Sequence, residues 1–420
     1  MQPARANVIA DILEEHFEEL SFLWGQRLAA LNSPVLTLRD VQNLEERIEA
    51  HVDGLLAAGE SAIPLLVPSL LDSAPNVAFA AAYSLLRVGQ TAVTQQVWKA
   101  FCEAQSEGLT GLCQALCACC PAELKPRLIE LAAGAPSAQS AAALEVLAYC
   151  SRKDVKPEKV AAFLKADSPR LQQLGFRLVA LADISIPREP YEKALTDKNP
   201  DTRRECLWAA ACTKQPWLLD YCRKFAAKSL PAEALPYRLL AILGQPDDLQ
   251  RMLYLGKDTT MGPQRFEWLG AFGHPGVIDF LLAEFKAKNP RDAVVAGKAF
   301  TKITGFDVAS PNRVLLPPED GHEPDELEKE FLDDAFLPDL GHAQAYWQKV
   351  KDKFSNGSRW CHGKDCSNVS VDRDYSQFEF LARAGVFLRA KQLNICLDTP
   401  ADIERFSASA NMVRSELHRA

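Results

Sequence analysis

The sequence has 420 residues, of which 48% are hydrophobic and 24% charged, and its formal net charge is −8 at pH 7. Proteins that grip a nucleic-acid backbone need a basic face, which this acidic balance disfavours. No apolar run reaches the length of a bilayer-spanning helix, and an acidic helix follows the first residues where a secretory signal would be apolar. We therefore expect a cytoplasmic protein with no nucleic-acid or membrane partner.

Residues 1–71 are predicted to form a helical N-terminal cap. Apolar residues at three- and four-residue spacing predict a first helix over about Val8 to Leu31. The hydroxyl of Thr37 can cap a second helix. That helix is predicted to end at Gly59, a residue type that adopts the left-handed closing conformation.

Residues 72–305 contain a helix-pair unit that recurs at about 31 residues, which predicts an α-solenoid of about eight pairs. Clear copies open at Asp72, Asp167, Asp197 and Asn289, and weaker copies open near Ser106, Ser137, Pro231 and Gly262. Small residues such as those of 80–82 would let neighbouring helices approach closely. The Asp or Ser at each start and the Pro that follows are predicted to cap helices.

Residues 306–341 are predicted to form an acidic loop. The stretch from Pro317 to Leu340 contains ten acidic side chains, one lysine and four prolines, too polar a composition to bury a core of its own. Two interpretations stay open for it: a solvated insertion, or a docking or gating segment.

Residues 342–420 are predicted to form a C-terminal module. A helix passes through Trp347 and is followed by reverse-turn residues, and 359–366 then alternate in polarity as a small β-hairpin does. Two closing helices are predicted over about Tyr375 to Leu393 and Ala401 to His418.

The second helices of the repeats should line one surface, because equivalent helices of a solenoid stack side by side. Their polar residues are candidate protein-binding positions, with solvated helix charges as the alternative. These candidates are Asp220, Arg223, Gln250, Arg251, Asp279 and Glu284.

No catalytic residue, metal or cofactor is predicted. Cys361, His362 and Cys366 form the one tight cluster of metal-ligand types, but structural zinc sites usually have two residues between paired cysteines and a second pair nearby. Most other cysteines lie in helical units, where we expect buried packing in a reducing compartment. These are Cys113, Cys117, Cys119, Cys120, Cys150, Cys206, Cys212 and Cys222.

Motifs at both ends resemble a bacterial HEAT-like repeat family whose genes are often found near type VI secretion clusters. The segments Glu15 to Arg27 and His51 to Gly59 are similar to its opening, and Lys298 to Asp307 and Trp347 to Gly363 to its C-terminal signature. The matching residues are Trp24, Arg27, Asp53, Gly54, Gly59, Trp347, Phe354, Gly357, Arg359 and Gly363. The long acidic insertion and the Cys361-His362 pair depart from the family pattern.

This resemblance carries over no catalytic residue, because the family has no established activity. It implies an all-α, HEAT-like α-solenoid that is accessory to type VI secretion, either as an effector adaptor or chaperone or as an immunity protein that binds a toxin. The leading hypothesis is therefore a non-enzymatic protein whose curved face holds another protein.

The alternative hypothesis is an enzyme on a HEAT-like scaffold, such as a DNA-base glycosylase or a chromophore lyase. A glycosylase would need a basic groove with aromatic residues. The sequence offers Arg203, Arg204, Trp208 and Arg223 as the residues that would have to meet in one pocket.

Overall fold

The computed structural model describes residues 10–365, except 32, 34–35, 229–232, 319–324, 326–328, 330–331 and 355–356. The predicted closing helices, Tyr375 to Leu393 and Ala401 to His418, lie outside these residues. The described part contains nineteen α-helices and four short strands, which confirms the mostly helical fold with a small sheet near the C-terminus. It divides into two compact units between Thr213 and Lys214.

The first unit contributes twelve of these helices. They are α1 (Ala10–Ala30), α2 (Leu38–Ala57), α3 (Ile63–Leu66), α4 (Pro75–Val88), α5 (Thr91–Glu103), α6 (Ser106–Ala118), α7 (Lys125–Ala133), α8 (Ala138–Cys150), α9 (Pro157–Leu164), α10 (Pro169–Ala182), α11 (Arg188–Leu195) and α12 (Pro200–Cys212).

The second unit contributes the other seven helices and the strands. They are α13 (Leu218–Ala226), α14 (Ala234–Leu243), α15 (Leu249–Lys257), α16 (Gln264–Phe272), α17 (Ile278–Glu284), α18 (Pro290–Thr304), β1 (Ala309–Leu315), β2 (Asp334–Pro338), α19 (Leu340–Val350), β3 (Trp360–Cys361) and β4 (Lys364–Asp365).

The first two helices form the predicted N-terminal pair. Thr37 caps α2 together with Asp40, whose carboxylate accepts the Thr37 amide at 2.8 Å. The helix ends at Ala57, slightly before the predicted end, and Gly59 then takes φ of 58° at the start of a 3-10 turn. A buried ion pair joins α1 to α2, with Arg27 Nε 2.7 Å from Glu45 Oε1.

Within the first unit, the even-numbered helices pack against one another in succession: α4 on α6, α6 on α8, α8 on α10, and α10 on α12. The predicted small residues lie at these contacts, and the alanines of 80–82, 141–143 and 209–211 are all buried. Gly111 of α6 lies so close to α4 that a β-carbon there would clash with the Pro75 carbonyl oxygen. Small residues therefore set the helix spacing, as the sequence pattern predicts.

The helix starts confirm the proline positions and the cap predicted at Ser137, whose hydroxyl accepts the Ser140 amide, but correct the caps predicted at Asp72 and Asp197. Proline occupies the first position of α4, α10, α12 and α18. Asn199 and Asn289 are the capping side chains of α12 and α18, and each accepts an amide of the first turn. Asp72 and Asp197 lie two residues earlier and accept the amide of the N-cap residue instead. Each aspartate lies two residues before the N-cap residue, so its carboxylate bonds to the N-cap amide and not to an amide of the first helical turn.

Polar side chains tie successive helix pairs together within each unit. Arg87 binds Glu49 at 2.5 Å, Arg177 binds Glu145 at 2.7 Å, and Arg265 binds Asp292 at 2.8 Å. The bonded residues are 38, 32 and 27 positions apart in the sequence. Each bond thus joins one helix pair to the next rather than two residues of the same helix.

In the second unit, α14, α16 and α18 pack in succession, and α13, α15 and α17 each pack beside one of them. Strands β1 and β2 form an antiparallel pair, and β2 lies against α18. Residues 306–341 were predicted to form a loop throughout, and this prediction is wrong for the two strands. Most of the predicted acidic segment between the two strands lies outside the described residues.

The predicted hairpin is present as β3 and β4. Its turn residues His362 and Gly363 have φ of 48° and 73°, as a tight two-residue hairpin turn requires. The hairpin covers free carbonyls at helix ends: the Trp360 amide donates to Gly273 O at 2.8 Å, and the Gly363 amide donates to Ile303 O at 3.0 Å.

Candidate functional site

Three of the predicted binding residues occupy equivalent, exposed positions on every second helix of the second unit. Asp220, Gln250 and Asp279 lie in the first turns of α13, α15 and α17, spaced 30 and 29 residues apart. This spacing matches the helix-pair period, and we call these three equivalent positions the first row.

The same spacing generates two further rows of exposed residues along these helices. The middle row is Lys224, Tyr254 and Ala283. The last row is Ala227, Lys257 and Lys286, of which Ala227 and Lys286 lie just beyond the ends of their helices. Together the three rows make up what we call the three-helix face. Acidic side chains lie near the helix N-termini and lysines near the C-termini, the arrangement that the helix dipole favours.

Tyr254 stands at the centre of the three-helix face with 62% of its surface exposed. Tyr254 is not among the predicted binding residues, because the exposure of an aromatic residue depends on tertiary packing. A signal was nevertheless present: Tyr254 follows the candidate Gln250 by one helical turn and repeats the positions of Lys224 and Ala283.

Close contacts hold α15 and α17 side by side beneath this face. A β-carbon at Gly256 of α15 would lie 2.9 Å from the Phe280 ring of α17. One at Gly276, just before α17, would lie 2.7 Å from the Leu249 side chain. The tyrosine therefore projects from a packed helix layer rather than from a loop.

The two candidate arginines are engaged by Asp248, a buried acid that the sequence analysis did not identify. Asp248 has 1% of its side chain exposed and accepts Arg223 Nε at 3.0 Å, Arg223 Nη2 at 2.9 Å and a bond from Arg251. Burial alone would raise its pKa, but the Arg223 bonds and the Gln245 amide hold the pKa below its usual value. Arg223 also binds Asp220 at 3.1 Å. This cluster joins α13 to α15. The remaining candidate, Glu284, lies apart from the cluster residues in the sequence and is half-buried at the end of α17.

The N-terminal motif residues have structural contacts in the first unit. The Trp24 ring stacks on Phe79 with centroids 3.5 Å apart, and its indole nitrogen donates to Gln114 at 2.8 Å. Arg27 forms the buried pair with Glu45. Gly54 lies against the His16 ring, where a β-carbon would approach Nε2 to 2.6 Å, while Asp53 is exposed.

The C-terminal motif residues build the hairpin cap of the second unit. Trp347, Phe354 and Trp360 form a chain of rings with centroids 5.3 Å and 4.4 Å apart. Arg359 is buried over the Phe272 ring and donates to the carbonyls of Gly244, at 2.5 Å, and Ala241 at the end of α14. Gly357 is exposed just before it, and Gly363 forms the turn.

Metal-ligand side chains and one open cleft are the remaining candidate features of the described residues. None of their His, Cys, Asp and Glu side chains form a group of three that could hold a metal, and Cys366 lies outside them. An open cleft of about 580 Å³ lies between α1 and α2, lined in part by Ala29, Leu36, Asp40 and Arg47. Its acid is already used, since Asp40 bonds to Thr37 and these bonds lower its pKa.

The arginines named for a glycosylase groove also have acceptors. Arg203 donates to the Asp197 carbonyl at 2.5 Å, Arg204 binds Asp201 at 3.0 Å, and Arg223 binds Asp248.

Within the described residues, no single helix is long and apolar enough to cross a bilayer.

The described cysteines are free thiols that differ in environment. Cys113, Cys206, Cys212 and Cys222 are buried, as predicted for packing residues. Cys117, Cys119 and Cys120 are half-buried. Cys150 is exposed at the last position of α8, so the packing prediction is wrong for that residue.

Comparisons with known proteins do not place the chain in a family. No protein-family profile and no curated protein sequence matches it. Among solved structures, one similar chain is an engineered protein from the Northeast Structural Genomics Consortium, 12% identical, with a TM-score of 0.32. The match covers 90% of this chain and 99% of that one. Nothing about fold or function follows from a similarity of this size.

Proposed function

We propose that the protein is a non-enzymatic α-solenoid of HEAT-like repeats that binds another protein through the three-helix face. The observation that carries this proposal is Tyr254, an aromatic side chain that is 62% exposed at the centre of three matched rows. Tyrosine is enriched at the energetic centres of protein interfaces, because it offers a large rigid surface and a polar tip.

The charge pattern of the face supports an oriented partner. Asp220 and Asp279 lie at one end of the helices, and Lys257 and Lys286 at the other. A partner would therefore turn basic groups toward the first row and acidic groups toward the last. Such complementarity contributes to orientation and association rate more than to affinity.

The biological context of the proposal rests on sequence resemblance alone. In that context the protein is a cytoplasmic accessory to type VI secretion, as an effector adaptor or chaperone or as an immunity protein. An immunity protein should bind one toxin at nanomolar affinity and rescue cells from it. An adaptor should instead be required for delivery of its effector while leaving toxicity unchanged.

The scaffold-enzyme alternative gains no support from the site geometry. Arg203 donates to a carbonyl oxygen, and Arg204 and Arg223 each bind an acid.

The proposal is tested by copurifying the full chain with the products of neighbouring genes and measuring the affinity of any complex by calorimetry. The substitution Tyr254→Ala should weaken binding about tenfold or more, because a central aromatic anchor contributes on the order of 2 kcal/mol to the free energy of binding. Phe22→Ala is the matched control, since Phe22 is 59% exposed on α1. Unchanged affinity for Tyr254→Ala, or an equal loss for Phe22→Ala, would exclude the three-helix face as the binding site.

A further inference from the structure

Two histidines meet between the first two helices, at a place that the binding proposal does not use. His16 of α1 and His51 of α2 are both half-buried, with their Nδ1 atoms 3.0 Å apart and their ring centroids 5.2 Å apart. The other nitrogen of His16 also faces α2, since a β-carbon at Gly54 would lie 2.6 Å from its Nε2 atom. The His16 ring is therefore a direct contact between the two helices.

A hydrogen bond between two imidazoles depends on how many protons the pair carries. In the neutral pair, one Nδ1–H group donates and the other Nδ1 accepts. A pair with one extra proton keeps this bond, because one ring still has an unprotonated Nδ1. When both rings are protonated, no acceptor is left and two positive charges are in contact. The second proton, and not the first, therefore breaks the link between α1 and α2.

The charges on the two helices do not remove this conflict. The pKa of His51 is lowered, first by its burial and then by the positive charge of His16, and Arg47 lowers it further. Glu19 and Glu15 act in the opposite direction. Within the described residues, neither glutamate forms an ion pair with an imidazole, so neither replaces the lost hydrogen bond.

The other elements packed on this helix pair add no compensating acid. Helix α4 packs against both α1 and α2, and its titratable side chains, Tyr83 and Arg87, both bind Glu49 of α2. The 3-10 turn after α2 contributes Glu60, which is exposed. The two imidazoles are therefore each other's hydrogen-bond partner.

We propose that His16 and His51 form a pH-sensitive latch, which holds the first half of α1 on α2 while at least one imidazole is neutral and opens when both are protonated. The second half of α1 is held by contacts without a histidine. These are the buried Arg27–Glu45 ion pair and the stack of Trp24 on Phe79. Opening should therefore be confined to the part of α1 that precedes Trp24.

The direction of the pH dependence follows from His51. Its folded pKa lies below the usual value of 6.5, so the latch contributes its full stability above about pH 6.5, and this contribution is lost as pH falls through the folded pKa. Histidine is the side chain whose ordinary pKa places such a change at mildly acidic pH. Acidification should thus weaken the contact, and alkaline pH should not.

The test measures amide hydrogen exchange of the full chain by mass spectrometry at about pH 7.5 and about pH 5, with rates corrected for the intrinsic effect of pH. Protection of residues 14–20 should fall roughly tenfold at the lower pH, because two charged rings in contact repel each other. Protection of residues 24–30 should change by less than about twofold, since their contacts involve no histidine.

His51→Gln is the deciding variant, because glutamine can still form the hydrogen bond but takes up no proton in this pH range. In this variant, residues 14–20 should be equally protected at both pH values. His342→Gln is the matched control: His342 is exposed on α19, so the variant should keep the wild-type response of α1.

Three results would overturn the latch. The first is equal protection of residues 14–20 at both pH values in the wild type, and the second is an undiminished loss at low pH in His51→Gln. The third is a loss spread evenly over residues 14–30 of the wild type, which would show that the histidine pair is not its cause. The first and third results come from the wild type alone, so the test does not depend on the folding of a variant.

Discussion

Buried polar and small residues, more than surface ones, determine how the helices of each unit meet. The motif residues are examples: Arg27 pairs with Glu45 inside the N-terminal helix pair, and Arg359 satisfies carbonyls at the end of α14. Their residue types were visible in the sequence, but their partners were not, because those partners are 18 and 115 positions away. Both motif arginines thus make packing or capping contacts, and the family resemblance itself stays a prediction.

Substituting Gly54→Ala should destabilise the first unit even though alanine is the better helix former. The new methyl group would meet Nε2, Cε1 and Cδ2 of His16 at 2.6, 2.7 and 2.8 Å. The His16 ring cannot rotate away freely, because its Nδ1 is 3.0 Å from His51 Nδ1. We expect a loss of about 1–3 kcal/mol in the free energy of unfolding, measured by denaturant titration.

The matched control is Gly25→Ala on α1. There the new methyl group would meet the side-chain amide of Asn76, with Nδ2 at 2.6 Å, and that amide lies at the flexible end of its side chain. We expect stability within about 0.5 kcal/mol of the wild type, or slightly above it. Equal losses in both variants would mean that the His16 contact does not govern the cost.

At the scale of elements, local signals predicted the helices well and the strands poorly. Proline at the first position and small residues on one face act within a single helix, so α4, α10, α12 and α18 were predictable. Strands β1 and β2 pair across an acidic stretch, so neither carries enough local signal to be recognised. Tyr254 and Asp248 were missed for a related reason, because exposure and burial are decided by neighbouring helices.

Asp248→Asn should weaken the junction of α13 and α15. The amide cannot provide the negative charge that Arg223 and Arg251 now share. Because Arg223 is partly exposed, we expect the free energy of unfolding to fall by only about 1–3 kcal/mol. Asp247 is an exposed neighbour, and Asp247→Asn is the control. Its free energy of unfolding, measured by denaturant titration, should stay within about 0.5 kcal/mol of the wild type.

The pH dependence of the stability difference between wild type and Asp248→Asn has a definite expected sign. The folded pKa of Asp248 is lower than its usual value of 3.8, so its contribution to stability is fully present above about pH 4 to 5 and is lost as pH falls through the folded pKa. The stability difference between wild type and Asp248→Asn should therefore be constant near neutral pH and shrink below about pH 4. A difference that grows on acidification would contradict the assignment.

For the whole molecule, the question is whether each helix pair is coupled mainly to its neighbours, as the proposed solenoid requires. The first unit tests this, because α4, α6, α8, α10 and α12 pack in succession. Gly111→Ala forces a methyl group against the Pro75 carbonyl and within 3.0 Å of the Ala78 β-carbon, so it should separate α4 from α6. Amide hydrogen exchange followed by mass spectrometry should then accelerate in those two helices and fade toward α10 and α12. A uniform acceleration over 75–212 would instead indicate one cooperative core, and the solenoid proposal would lose its physical basis even though the helices remain.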